Sequence, residues 1–346
     1  MTYGFKTFGD GFMRITRMHG AGGKVMQDLI KNTILGNLEN TSVNGGIGLK
    51  DLDDASTIPI GDKEIVFTVD GHTVKPIFFP GGDIGRLSVC GTVNDLSVMG
   101  AKPLAISLSL ILPEGFDIEK LDRIMKSINE ACKEANVSVI TGDTKVSNVD
   151  DIIISSAGIG IVDTGKAIRD CGMKEGDTII VSGNIGEHGM AILLTREGFD
   201  FETDLKSDVA PLNELIHKVL DEGIEVHAMK DPTRGGLADS LNEMAEKSGL
   251  GITIYEDKIP ISDEVQSIAD ALGIDPLTVA NEGKVVMAVK KDDAERALEI
   301  LRSHPLGKNA QIIGEVTSEY NGVLMETIVG KRIIDTPIGD PIPRVC

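Results

Sequence analysis

Acidic loops punctuated by glycine recur along this chain, and they limit what it can fold into. Asp53/Asp54, Asp70, Asn94/Asp95, Asp143 and Asp231 stand in LDDAST, FTVDG, VNDLSVMG, TGDTKV and MKDPTRGG, beside glycine or at the ends of apolar runs. A carboxylate at the C-terminal end of a strand is a usual place for an Mg²⁺ ligand, and glycine lets the backbone close tightly around an anion. Between the loops lie short apolar runs and amphipathic stretches. The expected fold class is therefore α/β with α+β character and mixed sheets, in two domains. The boundaries fall at a flexible N-terminal segment (1–45), an N-terminal domain (46–162), a C-terminal domain (172–330) and a mobile tail (331–346).

The first segment holds HGAGGKVMQDLI, where Gly20, Gly22 and Gly23 could cradle an anion ahead of Lys24; a plain flexible linker fits the same residues. EIVFTVDG reads as a strand ending at Asp70, and His72 opens the long loop that follows. In GRLSVCGTVNDLSVMG, residues Leu87, Val89, Val93, Leu96 and Met99 recur at helical spacing, with Cys90 as a small core residue. Asn94 and Asp95 interrupt that buried helix and need partners. Cys132 lies on the apolar stripe of an amphipathic helix starting at Ile118. After the strand VSVITGD, Asp143, Thr144 and Lys145 cluster in what reads as a turn. The polar stretch 163–176 is the expected domain boundary, with Cys171 an incidental thiol. Beyond it, Asp231, Thr233, Gly235 and Gly236 precede a helix N-terminus, an order that suits a phosphate. Glu282 and Lys284 stand in ANEGKVV, a solvated turn by composition alone.

The balance of 34 basic against 54 acidic residues, net −20, excludes a nucleic-acid binder. Four cysteines (90, 132, 171, 346) without CxxC spacing argue against a zinc site or disulfide framework. The apolar run from Ala105 to Pro113 is too short to span a bilayer, and no signal-peptide pattern is present, so no membrane and a cytoplasmic location are expected. Neither GxxxxGK[ST] nor an HRD/DFG set occurs, which excludes P-loop and protein-kinase folds. The chain closes on PIGDPIPRVC, where prolines 337, 341 and 343 forbid helix and central strand. An extended tail from Asp335 would carry the thiol of Cys346 about 36–40 Å. Its own carboxylate opposes thiolate formation, with Arg344 available to offset it.

These motifs, HGAGG, LDDA, VDGHTVKPIFFPGGDIG, VNDLSVMGAKP, TGDTKV, DPTRGG, NEGK and PRVC, span nearly the whole chain. Together the chain resembles the carbamoyl dehydratases of hydrogenase maturation, in the superfamily of aminoimidazole ribonucleotide synthetase, selenophosphate synthetase and thiamine-monophosphate kinase. It departs at Ala21 and Gly71, where serine is common, and at Ser147. The resemblance implies a two-domain aminoimidazole ribonucleotide synthetase-like fold, a homodimer paired through its N-terminal sheets, and ATP bound near that interface. It implies Mg²⁺ on Asp54, Asp70, Asp95 and Asp231, with Asn94, Asp143, Thr144, Thr233, Gly235 and Gly236 around the nucleotide. It also implies that a carbamoyl group on Cys346 is dehydrated to an S-cyanate, with Glu282, Lys145 and His72 sharing the acid–base work. A carbamoyltransferase would load the thiol, and an iron-carrying hydrogenase maturation scaffold would receive the cyanide. Two other readings stay open: a small-molecule kinase or synthetase of the same superfamily, and a non-catalytic, ATP-gated carrier of the modified cysteine.

Overall fold

Strict alternation of buried and exposed residues builds the first sheet. The computed structural model describes residues 14–197, 203–339, 341–342 and 344–346, so the start of the N-terminal segment and Pro343 lie outside the described residues. After a short helix α1 (Gly23–Leu29), which continues as irregular helical turns to Asn37, come β1 (Ser56–Ile60) and β2 (Lys63–His72). A minimal ribbon, β3 (Phe78–Phe79) and β4 (Gly82–Asp83), leads into helix α2 (Ile84–Val98). Then follow β5 (Lys102–Pro113), α3 (Ile118–Glu134), β6 (Ser138–Ser147) and β7 (Ile153–Asp163). The sheet order is β1-β2-β7-β5-β6, antiparallel except for β5 and β6, which α3 joins as a parallel crossover. Helical turns over 23–37 replace the flexible segment expected there. TGDTKV is likewise no turn, because β6 runs through Asp143, Thr144 and Lys145 to Ser147.

Helix α2 is the expected buried helix. Asp83 caps it by accepting from the Arg86 backbone N–H at 2.9 Å, and all but two of its residues are buried. It lies on the sheet face formed by Val66, Thr68, Ser156 and Ile106, with α3 beside it. Cys90 and Cys132 are core residues there, and burial pushes both thiols up. On the opposite face Phe67, Val69 and Ile159 are exposed with no cover among the described residues, and β6 is exposed along its whole length.

The second half contains β8 (Thr178–Val181), α4 (Glu187–Glu197), α5 (Asn213–Asp221), β9 (Val226–Lys230), α6 (Gly236–Ser248), β10 (Gly251–Tyr255), α7 (Asp263–Leu272), β11 (Val286–Val289), α8 (Ala294–Arg302), β12 (Gln311–Thr317), β13 (Gly322–Thr327) and β14 (Gly330–Ile334). Its seven-stranded sheet runs β14-β13-β10-β12-β8-β11-β9. Central strands are buried on both faces: Ile179 and Val181 pack with α6, while Ile180 packs with α5 and α8. Residues 331–334, assigned to the tail by sequence, are instead the edge strand β14. Nor is the rest of the tail free in solvent, since Ile342 and Val345 join the core shared by α2, α3, α4 and α7. No helix among the described residues is long and apolar enough to cross a membrane.

Leu96 is fully buried where α2 meets β7. Leu96→Ala should lower stability by about 2–5 kcal/mol in urea unfolding, whereas truncating exposed Ile118 should change it by less than about 0.5 kcal/mol.

Candidate active site

The period of two in β2 points Thr68, Asp70 and His72 to the same side, against α2. Closeness here depends on Gly91: a Cβ at that position would stand 3.1 Å from the His72 ring and 3.4 Å from the Asp70 carboxylate. One turn on, Asp95 accepts from the Thr68 hydroxyl at 2.8 Å. His72 Nε2 pairs with Ser156 Oγ at 3.1 Å, and its Nδ1 is buried with no hydrogen-bond partner. Burial lowers its pKa, so the ring is the neutral imidazole.

From the other half, the turn after β9 brings Asp231, Thr233 and Arg234 to the same cleft, and the loop before β11 brings Glu282. That loop is held by its backbone. Asn281 accepts from Gly186 N–H at 2.7 Å and donates to the Pro232 carbonyl at 2.9 Å. Asp208 accepts from Glu282 N–H at 3.1 Å and pairs with Lys284 at 3.0 Å. Asn94, expected near phosphate, is buried and bound to backbone instead. Its Nδ2 donates to the Glu282 and Ala210 carbonyls at 3.2 and 3.1 Å, and its Oδ1 accepts from Leu212 N–H at 2.8 Å. It supports the Glu282 loop from behind and does not line the cleft.

The tail enters this cleft. Thr73 and Lys75 donate backbone N–H groups to the Cys346 and Arg344 carbonyls at 3.1 and 3.2 Å. Arg234 Nη1 lies 3.6 Å from Cys346 Sγ. Arg344, the residue expected to offset charge at the thiol, donates to the Thr73 carbonyl. The glycine-rich N-terminal loop serves the tail as well. Gly23, at φ +66°, leaves no room for a Cβ, which would lie 2.2 Å from the Pro337 carbonyl oxygen, and Lys24 N–H donates to that oxygen at 3.1 Å. This loop cradles a carbonyl of its own chain, so the anion expected there has a competitor.

The cavity of about 410 Å³ thus gathers Asp54, Asp70, His72, Asp95, Asp231, Thr233, Glu282 and Cys346. Gly235 and Gly236 stand just behind, shaping the turn into α6. Asp143, Thr144 and Lys145 are not in it: they lie exposed on β6, where Lys145 pairs with Asp143 at 2.9 Å. Sequence reasoning passed over two cations. Arg234 sits inside the DPTRGG motif and was hidden by its neighbours. Lys230 just precedes that motif, and its ammonium reaches Asp54 at 2.5 Å and Glu243 at 3.1 Å. Burial opposes its charge, but Asp54, Glu243 and Asp170 hold its pKa well above the ordinary value.

Burial, compounded by Asp70, Asp231 and Asp54, holds the Asp95 pKa well above the ordinary carboxylate range. Burial and Asp54 push Asp231 up to about 8, and burial with Asp231, Asp208 and Asp70 raises Glu282 against the pull of Arg234. Oδ2 of Asp231 and Oε1 of Glu282 are buried without hydrogen-bond partners. Such a set fits a divalent cation. Among the described residues no three acidic, cysteine or histidine side chains form a metal cage by themselves, so an Mg²⁺ here would take one or two carboxylates and complete its shell with phosphate oxygens and water. Asp54 is already paired with Lys230, whereas Asp70, Asp95 and Asp231 line the same cavity.

A carboxyl whose folded pKa is raised stabilises the fold below its unfolded pKa, and that contribution is lost as pH rises toward the folded value. For Asp231 the window runs from the ordinary 3.8 to about 8. In chelator and without nucleotide, Asp231→Asn should therefore gain stability relative to the parent as pH is raised from 5.5 to 8, by at most about 1.4 kcal/mol per pH unit. Thermal unfolding across that range checks it; an unchanged difference would refute the assignment.

Two family models match the chain: the N-terminal domain of AIR synthase related proteins over residues 52–162, and their C-terminal domain over 174–326. The chain is 80% identical over 335 residues to a hydrogenase expression/formation protein of Methanocaldococcus jannaschii, covering 96% of this chain and 100% of that one. It is 39% identical over 333 residues to carbamoyl dehydratase HypE of Escherichia coli K12, covering 95% and 98%. A solved HypE–HypF complex contains a chain of 46% identity that superposes with TM-score 0.83, covering 89% of this chain and 99% of that one. HypE solved with ATP superposes with TM-score 0.79 at 38% identity, covering 95% and 98%. The chain belongs to the AIR synthase related family and, within it, to the HypE carbamoyl dehydratases of hydrogenase maturation.

Proposed function

We propose that the chain dehydrates a carbamoyl group carried on Cys346 to an S-cyanate at the expense of ATP, supplying cyanide for nickel–iron hydrogenase assembly. The observation that carries this reading is the seat of Cys346, whose sulfur lies 3.6 Å from Arg234 in the same cavity as Asp70, Asp95, Asp231, His72 and Glu282. A thiocarbamate holds its oxygen too firmly to lose it unaided. Of Asp70, Asp95 and Asp231, one or two would hold Mg²⁺ together with the phosphates of ATP, and ATP would supply the phosphoryl group that turns this oxygen into a leaving group. Forming the C–O–P linkage breaks the γ-phosphoryl bond of ATP and releases ADP and one N–H proton; breaking the C–O bond then expels phosphate as the second N–H proton is lost, leaving S–C≡N. Arg234 stands where it can stabilise charge on the carbamoyl oxygen. Glu282 accepts a proton from nitrogen once a bound cation and Arg234 bring its pKa down, and neutral His72 positions the group. Because the substrate is part of the chain, effective concentration replaces affinity.

The uncovered face of the first sheet supports a homodimer. Exposed Phe67, Val69 and Ile159, with Ile140 on the edge strand, form the kind of apolar patch that monomers rarely leave in water. Pairing there would bring Asp143 and Lys145, on the outer side of β6, to the interface, with Thr144 beside them on the strand, the position from which they would serve a nucleotide. The partner that loads Cys346 is a carbamoyltransferase: a relative of this chain was solved in complex with HypF. A hydrogenase maturation scaffold carrying iron takes the cyanide.

Intact-mass spectrometry of the loaded protein tests the reaction. The C-terminal peptide should gain one carbamoyl group from the transferase and lose one water only with Mg-ATP. Loading without that loss would favour a carrier, and no loading would favour a small-molecule kinase. Arg234→Leu should load normally yet dehydrate about 10²–10³-fold more slowly in single turnover. Ile140→Glu should halve the mass by light scattering if this face is the dimer interface.

A further inference from the structure

His188 takes no part in the chemistry above, yet it is fully buried at the start of α4 and reaches the tail. Its Nε2 lies 2.7 Å from the Val345 carbonyl and its Nδ1 lies 2.7 Å from Ser207 Oγ. A carbonyl oxygen only accepts, so Nε2 carries the proton. Nδ1 of the neutral ring then accepts from the Ser207 hydroxyl, whose oxygen accepts in turn from Val209 N–H at 3.1 Å. The hydrogen bonds therefore run in one direction, from Val209 through Ser207 and His188 to the peptide beside Cys346. The ring is fixed sideways by Phe79, edge-on at 5.6 Å between centroids. Burial lowers the pKa of His188, consistent with the neutral form.

Ser207 is anchored across the domain boundary, its N–H donating to the Pro80 carbonyl at 2.9 Å. The next residue, Asp208, holds Glu282 N–H and Lys284. One two-residue step thus supports both the seat of the tail and the loop that carries the proposed base. We infer that His188 and Ser207 form a docking strut, positioning residues that seat Cys346 against Arg234 in register with the Glu282 loop. This rests on the reading of Cys346 as the carrier. The physical reason is simple: without His188 the docked Val345 carbonyl would be buried without a partner, whereas in the undocked tail water satisfies it. Loss of the bond therefore penalises docking and leaves the rest of the fold intact.

Two measurements on the full-length chain test this. Alkylation of Cys346 by N-ethylmaleimide, followed on the C-terminal peptide, should be about fivefold faster in His188→Ala than in the parent, the worth of one lost hydrogen bond. His188→Gln, whose amide can reach the same carbonyl, should return to within about twofold of the parent rate. Ser207→Ala should fall between, because Nδ1 is then free to take the proton. In single turnover of transferase-loaded protein, His188→Ala should slow dehydration by a similar factor without changing the half-saturating ATP concentration, and His188→Gln should restore it. Equal alkylation rates in parent and His188→Ala would overturn the strut. So would a His188→Gln variant as impaired as His188→Ala, which would mark the ring as mere packing. Should the loaded parent itself fail to dehydrate, the proposed reaction falls while the alkylation series still decides the strut.

Discussion

Mutual repulsion among buried carboxylates is the constraint on which the site depends. Burial raises the pKa of Asp95, Asp231 and Glu282 in one cleft, and Asp70 adds to it at all three while Asp231 adds to it at Asp95 and Glu282. An apolar arrangement would be more stable, so the fold compensates elsewhere: α2 and the central strands of the second sheet are buried almost completely. The cluster also explains its two cations. Lys230 neutralises the Asp54 side and Arg234 stands on the Glu282 and Cys346 side. Between them Asp95, Asp231 and Glu282 hold their protons more tightly than free carboxyls, and a bound divalent cation would favour their ionised forms.

Asparagine does the structural work that this charge makes necessary. A carboxylate loop that repels its neighbours must be held by something uncharged, and backbone bonds to buried amides do this without adding to the field. Asn94 ties α2 to the Glu282 and Ala210 carbonyls, and Asn281 ties the same loop to the start of α4 and to Pro232. Both side chains are essentially inaccessible. Their placement keeps the Glu282 carboxyl facing the cleft, where a free lone pair is useful, while its backbone is pinned.

Much of this was legible in the residues and some was not, for identifiable reasons. The periodicity of 84–98 gave α2, and the apolar stripe of 118–134 gave α3, because burial leaves a period in the sequence. Short strands such as β10 and the β13–β14 hairpin leave a weaker pattern and were passed over. Of the acidic loops expected to converge, those of Asp54, Asp70, Asp95 and Asp231 line one cavity and that of Asp143 does not. Asn94 was misread because polarity inside a helix says that a partner exists, not whether it is a ligand or a backbone carbonyl. Asp143 and Lys145 could not be placed from one chain, since the face of β6 that carries them is uncovered. Arg234 was hidden inside DPTRGG and His188 left no signal, since each matters through a contact with the tail more than a hundred positions away.

The prolines of the tail have a different consequence from the one their spacing first suggests. They do prevent helix and central strand, but the chain from Asp335 does not simply extend; it folds back so that Ile342 and Val345 enter the core while Cys346 faces the cleft. Docking such a segment costs conformational entropy, and the cost falls when φ is already fixed at positions 337 and 341. The retaining contacts include two medium-sized apolar side chains, backbone bonds to Lys24, Thr73 and Lys75, and polar contacts with Arg234 and His188. A tail held only by its side chains would need a larger apolar anchor and would leave slowly. A tail with its entropy already reduced can be held by these few contacts and still be released. That balance is what a carrier must have if its sulfur is loaded in one pocket and emptied in another.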